Sequence, residues 1–345
     1  MNFYVRPIFS KQTSEYKDYK KLGSSNLYFN TVEVISRNKK KINKKLIKLK
    51  DIRSLEKKEF KEVSIQIKEI TIPRKKIASI KFDNPKIMGI LNVTPDSFSD
   101  GGKFNTLDKS TKYAAQMIKD GADIIDIGGE STRPGATTIS AMKEISRIIP
   151  TIKKIKNKNK KIIISLDTRK PEVMRVGIEN NIDIINDVSG LRYSNKSIDI
   201  IKQKKIPFVL MHSIKNPKTM QSNIDYDDVL LDVYDFFKKK IALCERKNID
   251  KKSIILDPGI GFGKTVKQNL NLIANIALFH SLGCPVLFGS SRKSFIGKLH
   301  KNALKEKRIG GSIATVIHAL NQGVQIFRVH DVFETSQAIK IYKKL

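Results

Sequence analysis

From Lys86 onward the sequence alternates between short apolar runs and longer amphipathic segments, and this pattern limits the chain to very few folds. The apolar runs have the length of a strand that is buried on both faces, as parallel sheets require. The longer segments carry apolar residues at three- and four-residue spacing, as in Tyr113–Ile118 and Val229–Phe237, which predicts helices. The predicted strands are 87–93, 124–127, 162–166, 184–185, 208–211, 254–256, 286–288 and 326–329.

Eight strands that are each followed by a helix, over about 260 residues, have the count and size of a (β/α)₈ barrel, the TIM barrel. A doubly wound parallel sheet is the alternative, because periodicity does not show whether a sheet closes on itself. We therefore predict an α/β protein whose main domain, residues 85–345, is a (β/α)₈ barrel.

Residues 1–84 do not follow this pattern and contain runs of lysine. We predict short strands at 27–29, 32–35 and 63–67, the last because apolar and polar residues alternate strictly in it. Pro73 and the sequence Asp83-Asn84-Pro85 are typical of a boundary. The sequence thus predicts a small, Lys-rich N-terminal extension that contains β-structure, and it indicates no chemistry for this part.

The charge of the chain raises the question of nucleic-acid binding. The 345 residues carry 66 Lys and Arg against 34 Asp and Glu, which gives a formal net charge of +32. The excess is mostly lysine and is spread over the whole length, and the chain has no Trp and no interleaving of aromatic and basic residues that would stack bases. We predict that nucleic acid is not a partner and that the basic surface attracts an anionic substrate.

Other features indicate the compartment. No apolar run reaches the roughly 18 to 20 residues that a membrane span needs, and the N-terminus lacks the layout of a secretory signal. The two cysteines, Cys244 and Cys284, have no partner at metal-ligand spacing. We expect a cytoplasmic protein with reduced thiols and no membrane partner.

Every predicted strand ends in polar or ionisable residues, and in (β/α)₈ folds these ends meet at one face. Capping of the next helix explains a single Asp, Asn or Ser, but it does not explain Lys, Arg and His at these positions. We therefore predict a functional site at the barrel mouth. The residues at the strand ends include Asn92, Asp126, Asp167, Asn186, Met211, Asp257, Lys293, Arg328 and His330.

Four of these side chains suit a flat nitrogen heterocycle with an amide edge. The carboxylates of Asp126, Asp167 and Asp257 can accept hydrogen bonds from ring N–H and amino groups, and Asn186 can both donate and accept. Asp126 has the least distinctive neighbours of the four. His212 is given no chemical role, because a lone histidine near a strand end is more often structural.

Cations follow the last two strands, in Ser291-Arg292-Lys293-Ser294 and Arg328-Val329-His330. TIM barrels often bind phosphate at this place, and an Arg fork beside a Lys point charge predicts a clamp for a diphosphate. The segment 257–265 is not a P-loop, since Pro258 stands where that pattern needs glycine, and its glycine spacing does not fit the dinucleotide fingerprint. We expect its glycines to let the backbone pass close to a flat ligand instead, with Phe262 as an apolar face.

Several motifs of this chain, in this order, together resemble the dihydropteroate synthase family. They are NVTPDSFSDGG, GGESTRPGA, SLDTRKPEV, IINDVSG, LMHSIKNPKTMQ, ILDPGIGFGK, GSSRKSFIG and RVHDV, within residues 87–345. The resemblance implies a pterin-binding catalytic barrel, a sulfonamide target and a homodimer. It also implies a Mg²⁺-dependent transferase of tetrahydrofolate biosynthesis. That enzyme joins 4-aminobenzoate to (7,8-dihydropterin-6-yl)methyl diphosphate and gives 7,8-dihydropteroate and pyrophosphate.

The resemblance also implies roles for individual positions. The residues that would hold the pterin or line its pocket are Asp167, Asn186, Asp257, Lys293, Met211 and Phe262. Those that would bind the diphosphate are Asn92, which would also contact the metal, Thr132, Arg133, Arg328 and His330. Those that would close over the substrate and shape the aminobenzoate site are Asp96, Phe98, Asp100, Pro134 and Ser294. Asp96 or Asp100 is our candidate for the negative charge beside a developing carbocation.

Two other functions use a similar site. A pterin-binding methyltransferase module shares the barrel and the Asp/Asn pterin floor, but it has no use for a diphosphate clamp. A catalytically silent pterin-binding protein is the second alternative, and the complete set of site residues argues against it.

Overall fold

The computed structural model describes residues 1–10, 18–94, 106–131, 137–213 and 226–345. Its N-terminal part is an antiparallel sheet with one helix, and the remainder is a parallel barrel surrounded by helices. The N-terminal elements are β1 (Asn2–Ser10), β2 (Lys20–Lys21), β3 (Tyr28–Asn38), β4 (Lys41–Lys48) and α1 (Lys57–Thr71).

The predicted rhythm of strands and helices is confirmed from Lys86 onward. The strands are β5 (Lys86–Asn92), β6 (Ile124–Gly128), β7 (Ile163–Asp167), β8 (Ile184–Asp187), β9 (Phe208–Met211), β10 (Ile254–Asp257), β11 (Leu287–Phe288) and β12 (Ile326–Val329). The helices are α2 (Thr106–Lys119), α3 (Ala141–Lys158), α4 (Pro171–Glu179), α5 (Asn195–Lys204), α6 (Val229–Arg246), α7 (Val266–Ala274), α8 (Ser294–Leu299), α9 (Ile309–Asn321) and α10 (Val332–Tyr342). Within the described ranges, none of the helices is long and apolar enough to cross a membrane.

The parallel sheet closes. Its strand order is β10-β9-β8-β7-β6-β5-β12-β11, and a parallel bridge between Leu256 and Val286 joins the two ends. The (β/α)₈ barrel is therefore the correct prediction, and the doubly wound alternative does not apply.

One apolar side chain from each barrel strand packs into a single inner layer. These residues are Met88, Ile124, Ile163, Ile184, Val209, Ile255, Leu287 and Ile326. Ile77, Ile80 and Phe82, which precede β5, belong to the same cluster and fill the amino-terminal end of the barrel. The domain boundary between residues 84 and 85 stays a prediction.

One predicted element of the extension is wrong. Residues 63–67 lie in helix α1 and not in a strand. Val63, Ile67 and Ile70 are buried at the four- and three-residue spacing of a helical face, whereas Ile65 is 52% exposed. The strict alternation at Val63, Ile65 and Ile67 therefore combined the two opposite faces of one helix. The predicted strands at 27–29 and 32–35 belong to one continuous strand, β3, which begins one residue later than predicted, at Tyr28.

The extension packs against helix α6 of the barrel. The Arg37 guanidinium donates from Nη1 to Asp232 Oδ1 at 2.6 Å and forms a second ion pair with Asp235. The Tyr4 ring meets the Tyr234 ring edge to face, with the centroids 5.1 Å apart. The extension is thus joined to the barrel by both charge and aromatic packing.

Candidate active site

The barrel interior turns polar at its carboxyl-terminal end. Side chains of a strand alternate between its faces, so residues two or four positions beyond the apolar inner layer also point inward. The inward residues at this end include Asn92, Asp126, Asp167, Asn186, Met211, Asp257 and Arg328. The closed barrel therefore brings together the candidates that the strand ends indicated.

Arg328 ties two of the carboxylates together. Its Nε donates to Asp126 Oδ2 at 2.6 Å, and its Nη2 donates to Asp167 Oδ2 at 2.7 Å. Asn186 Nδ2 also donates to Asp126 Oδ2, at 3.1 Å. Asp126, which had the least distinctive sequence context, is thus the shared acceptor of the cluster. The predicted contact of Arg328 with a diphosphate stays a prediction, and the two ion pairs use two of its five N–H groups.

Three buried oxygens of this cluster accept no hydrogen bond from any described residue. They are Asp126 Oδ1, Asp167 Oδ1 and Asn186 Oδ1. A buried acceptor that lacks a donor costs free energy, so such groups mark a place that a ligand or water completes. Three convergent acceptors fit a heterocycle that presents several N–H donors.

Burial shifts the protonation of the site toward neutrality. It raises the pKa of Asp167 to about 7, with the Asp126 carboxylate adding to the rise and Arg328 opposing it. The pKa of Asp257 is also raised, because the effect of burial exceeds the opposing effects of the Gly259 N–H and the Lys293 charge. The pKa of Lys293 falls to about 7, because burial outweighs the attraction of Asp257. A bound ligand can therefore set the charge of these groups at little cost.

A glycine-containing turn after β10 holds Lys293. Phe262 N donates to Gly259 O at 3.1 Å, and Gly261 has a φ of 81° at the third position, as a type II turn requires. Lys293 Nζ donates to Ile260 O at 2.6 Å and lies 4.0 Å from the centroid of the Phe262 ring. A Cβ on Gly261 would lie 2.8 Å from Lys293 Cδ, so the close approach needs glycine. The predicted pair of Phe262 and Lys293 is thus in contact.

His330 and its neighbours lie beside this cluster. His330 Nδ1 is 3.0 Å from Ser291 Oγ, and the same hydroxyl accepts the His330 N–H at 3.1 Å. Burial, with nearby Lys and Arg charges, lowers the pKa of His330 to about 3, so its imidazole is neutral at pH 7. Arg292 forms a bidentate ion pair with Asp331. Ser294 is exposed at the first position of α8.

Asn92 is the last residue of β5, and its side chain is partly buried. An amide oxygen is a suitable but weak ligand for Mg²⁺, which proteins usually bind through one or two side chains plus substrate phosphates. In the part of the chain that the structure describes, no group of three His, Cys, Asp or Glu side chains could hold a metal ion. The residues present fit a metal that is held mainly by a substrate.

Six predicted site residues lie outside the described residues. They are Asp96, Phe98, Asp100, Thr132, Arg133 and Pro134. The flanks of the segment 132–136 are joined by Glu130, whose Oε1 accepts the Ile139 N–H at 3.0 Å and the Lys170 ammonium at 2.9 Å. Arg169 Nε donates to Glu130 Oε2 at 3.1 Å. Glu130 and Ile139 are therefore held together at a buried ion network.

Sequence reasoning missed Lys264 and the role of its neighbour His212. Lys264 Nζ lies 3.1 Å from His212 Nδ1 and donates to Gly259 O at 2.9 Å. In the sequence, Lys264 stands out only as part of the rejected P-loop pattern. No spacing signal could have indicated that it folds back under the turn.

Comparisons with known proteins agree with this site. The sequence pattern of the pterin binding enzyme family matches residues 88–330. The dihydropteroate synthase of Escherichia coli (strain K12) is 46% identical over 263 residues, which make up 76% of this chain and 92% of that protein.

Solved structures give the same result. Yersinia pestis dihydropteroate synthase in complex with a sulfonamide drug is 40% identical and has a TM-score of 0.73, covering 77% of this chain and 95% of that one. Xanthomonas albilineans dihydropteroate synthase in complex with 7,8-dihydropteroate is 37% identical and has a TM-score of 0.70, covering 77% and 95%. The chain therefore belongs to the pterin-binding enzymes and, among them, to the dihydropteroate synthase family.

Proposed function

We propose that this chain condenses 4-aminobenzoate with (7,8-dihydropterin-6-yl)methyl diphosphate to give 7,8-dihydropteroate and pyrophosphate in tetrahydrofolate biosynthesis. The observation that carries the proposal is the set of three buried, unsatisfied acceptors on Asp126, Asp167 and Asn186. A pterin presents ring N–H and amino donors that can satisfy them. The Xanthomonas albilineans relative in complex with 7,8-dihydropteroate shares this barrel.

In the reaction, the amine nitrogen of 4-aminobenzoate forms a bond to the pterin methylene carbon. The carbon–oxygen bond to the diphosphate breaks, pyrophosphate takes that electron pair, and the nitrogen loses one proton. An arylamine is already unprotonated at pH 7, so a strong general base is not needed. Catalysis then depends on aligning the amine nitrogen with the methylene carbon and the departing oxygen, and on stabilising the negative charge of the departing pyrophosphate.

The described residues supply most of the pterin contacts in this proposal. The Asp167 and Asp257 carboxylates accept hydrogen bonds from the ring edge, the Asn186 amide can accept or donate, and Met211 lines the buried side of the pocket. Lys293 contributes a cation beside the pterin, and the Phe262 ring offers an apolar face. Arg328 and the neutral His330 are our candidates for contacts with the diphosphate, together with Thr132 and Arg133.

We propose that Mg²⁺ takes part, held by Asn92 and by oxygens of the diphosphate. When bound, the ion would neutralise negative charge on the leaving group. Asp96 and Asp100 are our candidates for the negative charge near the methylene carbon, and Phe98, Pro134 and Ser294 for the aminobenzoate pocket. These assignments rest on the family resemblance.

A homodimer is the proposed assembly. Helices α7, α9 and α10 are neighbours on the outside of the barrel. They expose apolar side chains at Leu270, Phe333 and Ile341, and α9 presents Gly310 and Ala314 to solvent. An apolar face of this kind fits a second copy of the same surface. We propose a cytoplasmic location, which suits the two free, buried thiols of Cys244 and Cys284.

Pyrophosphate release from the purified full-length chain tests the reaction. With Mg²⁺, the pterin diphosphate and 4-aminobenzoate together, we expect release and equimolar dihydropteroate, measured by coupled phosphate detection and mass spectrometry. Omission of any one component should stop it, and a sulfonamide should inhibit in competition with 4-aminobenzoate. Tight pterin binding without release would instead support the methyltransferase or the silent-binder alternative.

The pH dependence of pterin binding follows from the shifted groups. Asp167 must be ionised to accept N–H donors, and its pKa near 7 weakens binding as the pH falls below that value. Lys293 loses its charge as the pH rises above about 7, because its pKa lies there. We expect bell-shaped binding of 6-hydroxymethyl-7,8-dihydropterin, measured by calorimetry, with an optimum near neutrality. Asp167→Asn should bind more weakly and lose the acid limb, and an unchanged acid limb would contradict the assignment.

A further inference from the structure

Lys264 is a buried cation that the proposed reaction does not use. It is 4% exposed, and among the described residues it forms no ion pair with a carboxylate. Burial lowers the pKa of its ammonium to about 7, and the Asp257 charge only partly opposes that fall. A lysine in such a place needs a reason, because burying an unpaired charge is costly.

The hydrogen bonds of Lys264 account for all three of its donors. Nζ donates to Gly259 O at 2.9 Å and to Phe262 O at 3.0 Å, and it lies 3.1 Å from His212 Nδ1. Burial and the Lys264 charge lower the pKa of His212, so its imidazole is neutral and Nδ1 can accept. An ammonium with three acceptors is fully satisfied. Lys264 therefore joins the end of strand β9 to the turn after β10.

The turn in question is the one that carries Phe262. Its first and last carbonyl groups, on Gly259 and Phe262, point to Lys264, and its second carbonyl group, on Ile260, points to Lys293. Space is restricted on the Lys264 side, because a Cβ on Gly259 would lie 1.9 Å from His212 O. Two lysines thus hold one turn, and only Lys293 also faces the pterin site.

We propose that Lys264 is a positioning residue for pterin binding. By holding the Gly259 and Phe262 carbonyl groups, it fixes the turn that places the Phe262 ring and the Ile260 carbonyl against Lys293. Without it, the turn loses the two hydrogen bonds to its Gly259 and Phe262 carbonyl groups and its link to His212, and the Lys293 ammonium loses a fixed partner. This inference rests on the proposed function and extends it, because the affinity for pterin would depend on the position of this turn.

The test compares Lys264→Met with Lys156→Met in the full-length chain. Lys156 is a matched control, because it donates to Ile162 O at 3.0 Å and to Asp183 Oδ2 at 2.6 Å, at the opposite end of the barrel. For Lys264→Met we expect the dissociation constant of 6-hydroxymethyl-7,8-dihydropterin and the KM of the pterin diphosphate to rise about tenfold. The KM of the other substrate, the aminobenzoate, should not change. Lys156→Met should lower the melting temperature and leave both ligands unaffected.

A second variant keeps the proposal testable if Lys264→Met does not fold. His212→Phe removes one acceptor and retains a ring that can pack against Phe236, which now meets His212 edge to face at 4.9 Å. It should weaken pterin binding in the same direction, by a smaller factor. Unchanged pterin binding in the folded variants, or equal losses for pterin and aminobenzoate, would overturn the positioning role. A wild-type enzyme that binds pterin but releases no pyrophosphate would refute the reaction and leave this test intact.

Discussion

Replacing Arg328 by methionine is expected to lower the free energy of unfolding at pH 7 by about 3–5 kcal/mol and to abolish condensation. The guanidinium pairs with Asp126 at 2.6 Å and with Asp167 at 2.7 Å. Its removal leaves two buried carboxylates side by side, of which Asp126 keeps one described donor, Asn186. Two like charges in a buried site are costly, so one of them must take up a proton. Urea unfolding followed by circular dichroism measures the loss.

The loss should depend on pH in a defined direction. In the variant, the folded-state pKa of the carboxylate pair rises above its unfolded value, so stability is retained at low pH and lost as the pH rises through the folded pKa. The difference from wild type should therefore shrink toward pH 4, roughly the unfolded carboxyl pKa. Adding Asp126→Asn to the variant should restore part of the stability. Equal destabilisation across the whole range would mean that packing, and not charge, explains the effect.

Arg292→Met is the matched control for this substitution. Arg292 also binds a carboxylate in a bidentate manner, but its partner Asp331 is outside the pterin cluster. Arg292→Met removes the same charge as Arg328→Met, but it leaves only one buried carboxylate, Asp331, without its cation. We expect a smaller loss of stability and a pterin affinity close to that of the wild type.

The barrel could be predicted because its strands and helices are marked by hydrophobicity patterns within short segments of the sequence. A run such as Ile163–Asp167 is buried along its whole length, so hydrophobicity alone marks it as a strand of a covered parallel sheet. The alternation of inward and outward side chains then places Asp126 and Asn186 at the mouth without any knowledge of tertiary contacts. Position along a strand predicts which side chains point inward, because each barrel strand contributes one residue to the same apolar layer.

The partners within the site could not be predicted, because they depend on closure. Arg328 is 202 residues from Asp126 in sequence, and they meet because β12 pairs with β5 and β5 pairs with β6. Lys264 turns back under its own loop to reach His212, a contact that spacing does not encode. The helix at 57–71 was missed for a different reason, since a five-residue window at Val63–Ile67 fits both periods.

Lys293→Ala is expected to reduce kcat/KM for the pterin diphosphate by about 100- to 1,000-fold while the melting temperature stays the same or rises. Its ammonium is held at a cost, because burial lowers its pKa to about 7 and its described acceptor is a single carbonyl group, Ile260 O at 2.6 Å. Removing a cation that is costly to bury relieves the folded state. The same cation faces the pterin site beside Phe262, so its removal weakens substrate binding and turnover while the folded state becomes no less stable.

Two further variants separate the charge of Lys293 from its shape. Lys293→Met keeps the apolar stem over Gly261 and should lose as much activity as the alanine variant, since the charge is the part that acts. Lys298→Ala, at an exposed position of α8, removes a lysine nearby and should change nothing. Steady-state kinetics and thermal unfolding of the three proteins decide the question. Wild-type turnover by Lys293→Ala would remove Lys293 from the site, and a matching fall in melting temperature would make its role structural. A higher melting temperature together with a lower kcat/KM in Lys293→Ala would show that Lys293 serves ligand binding and not folding.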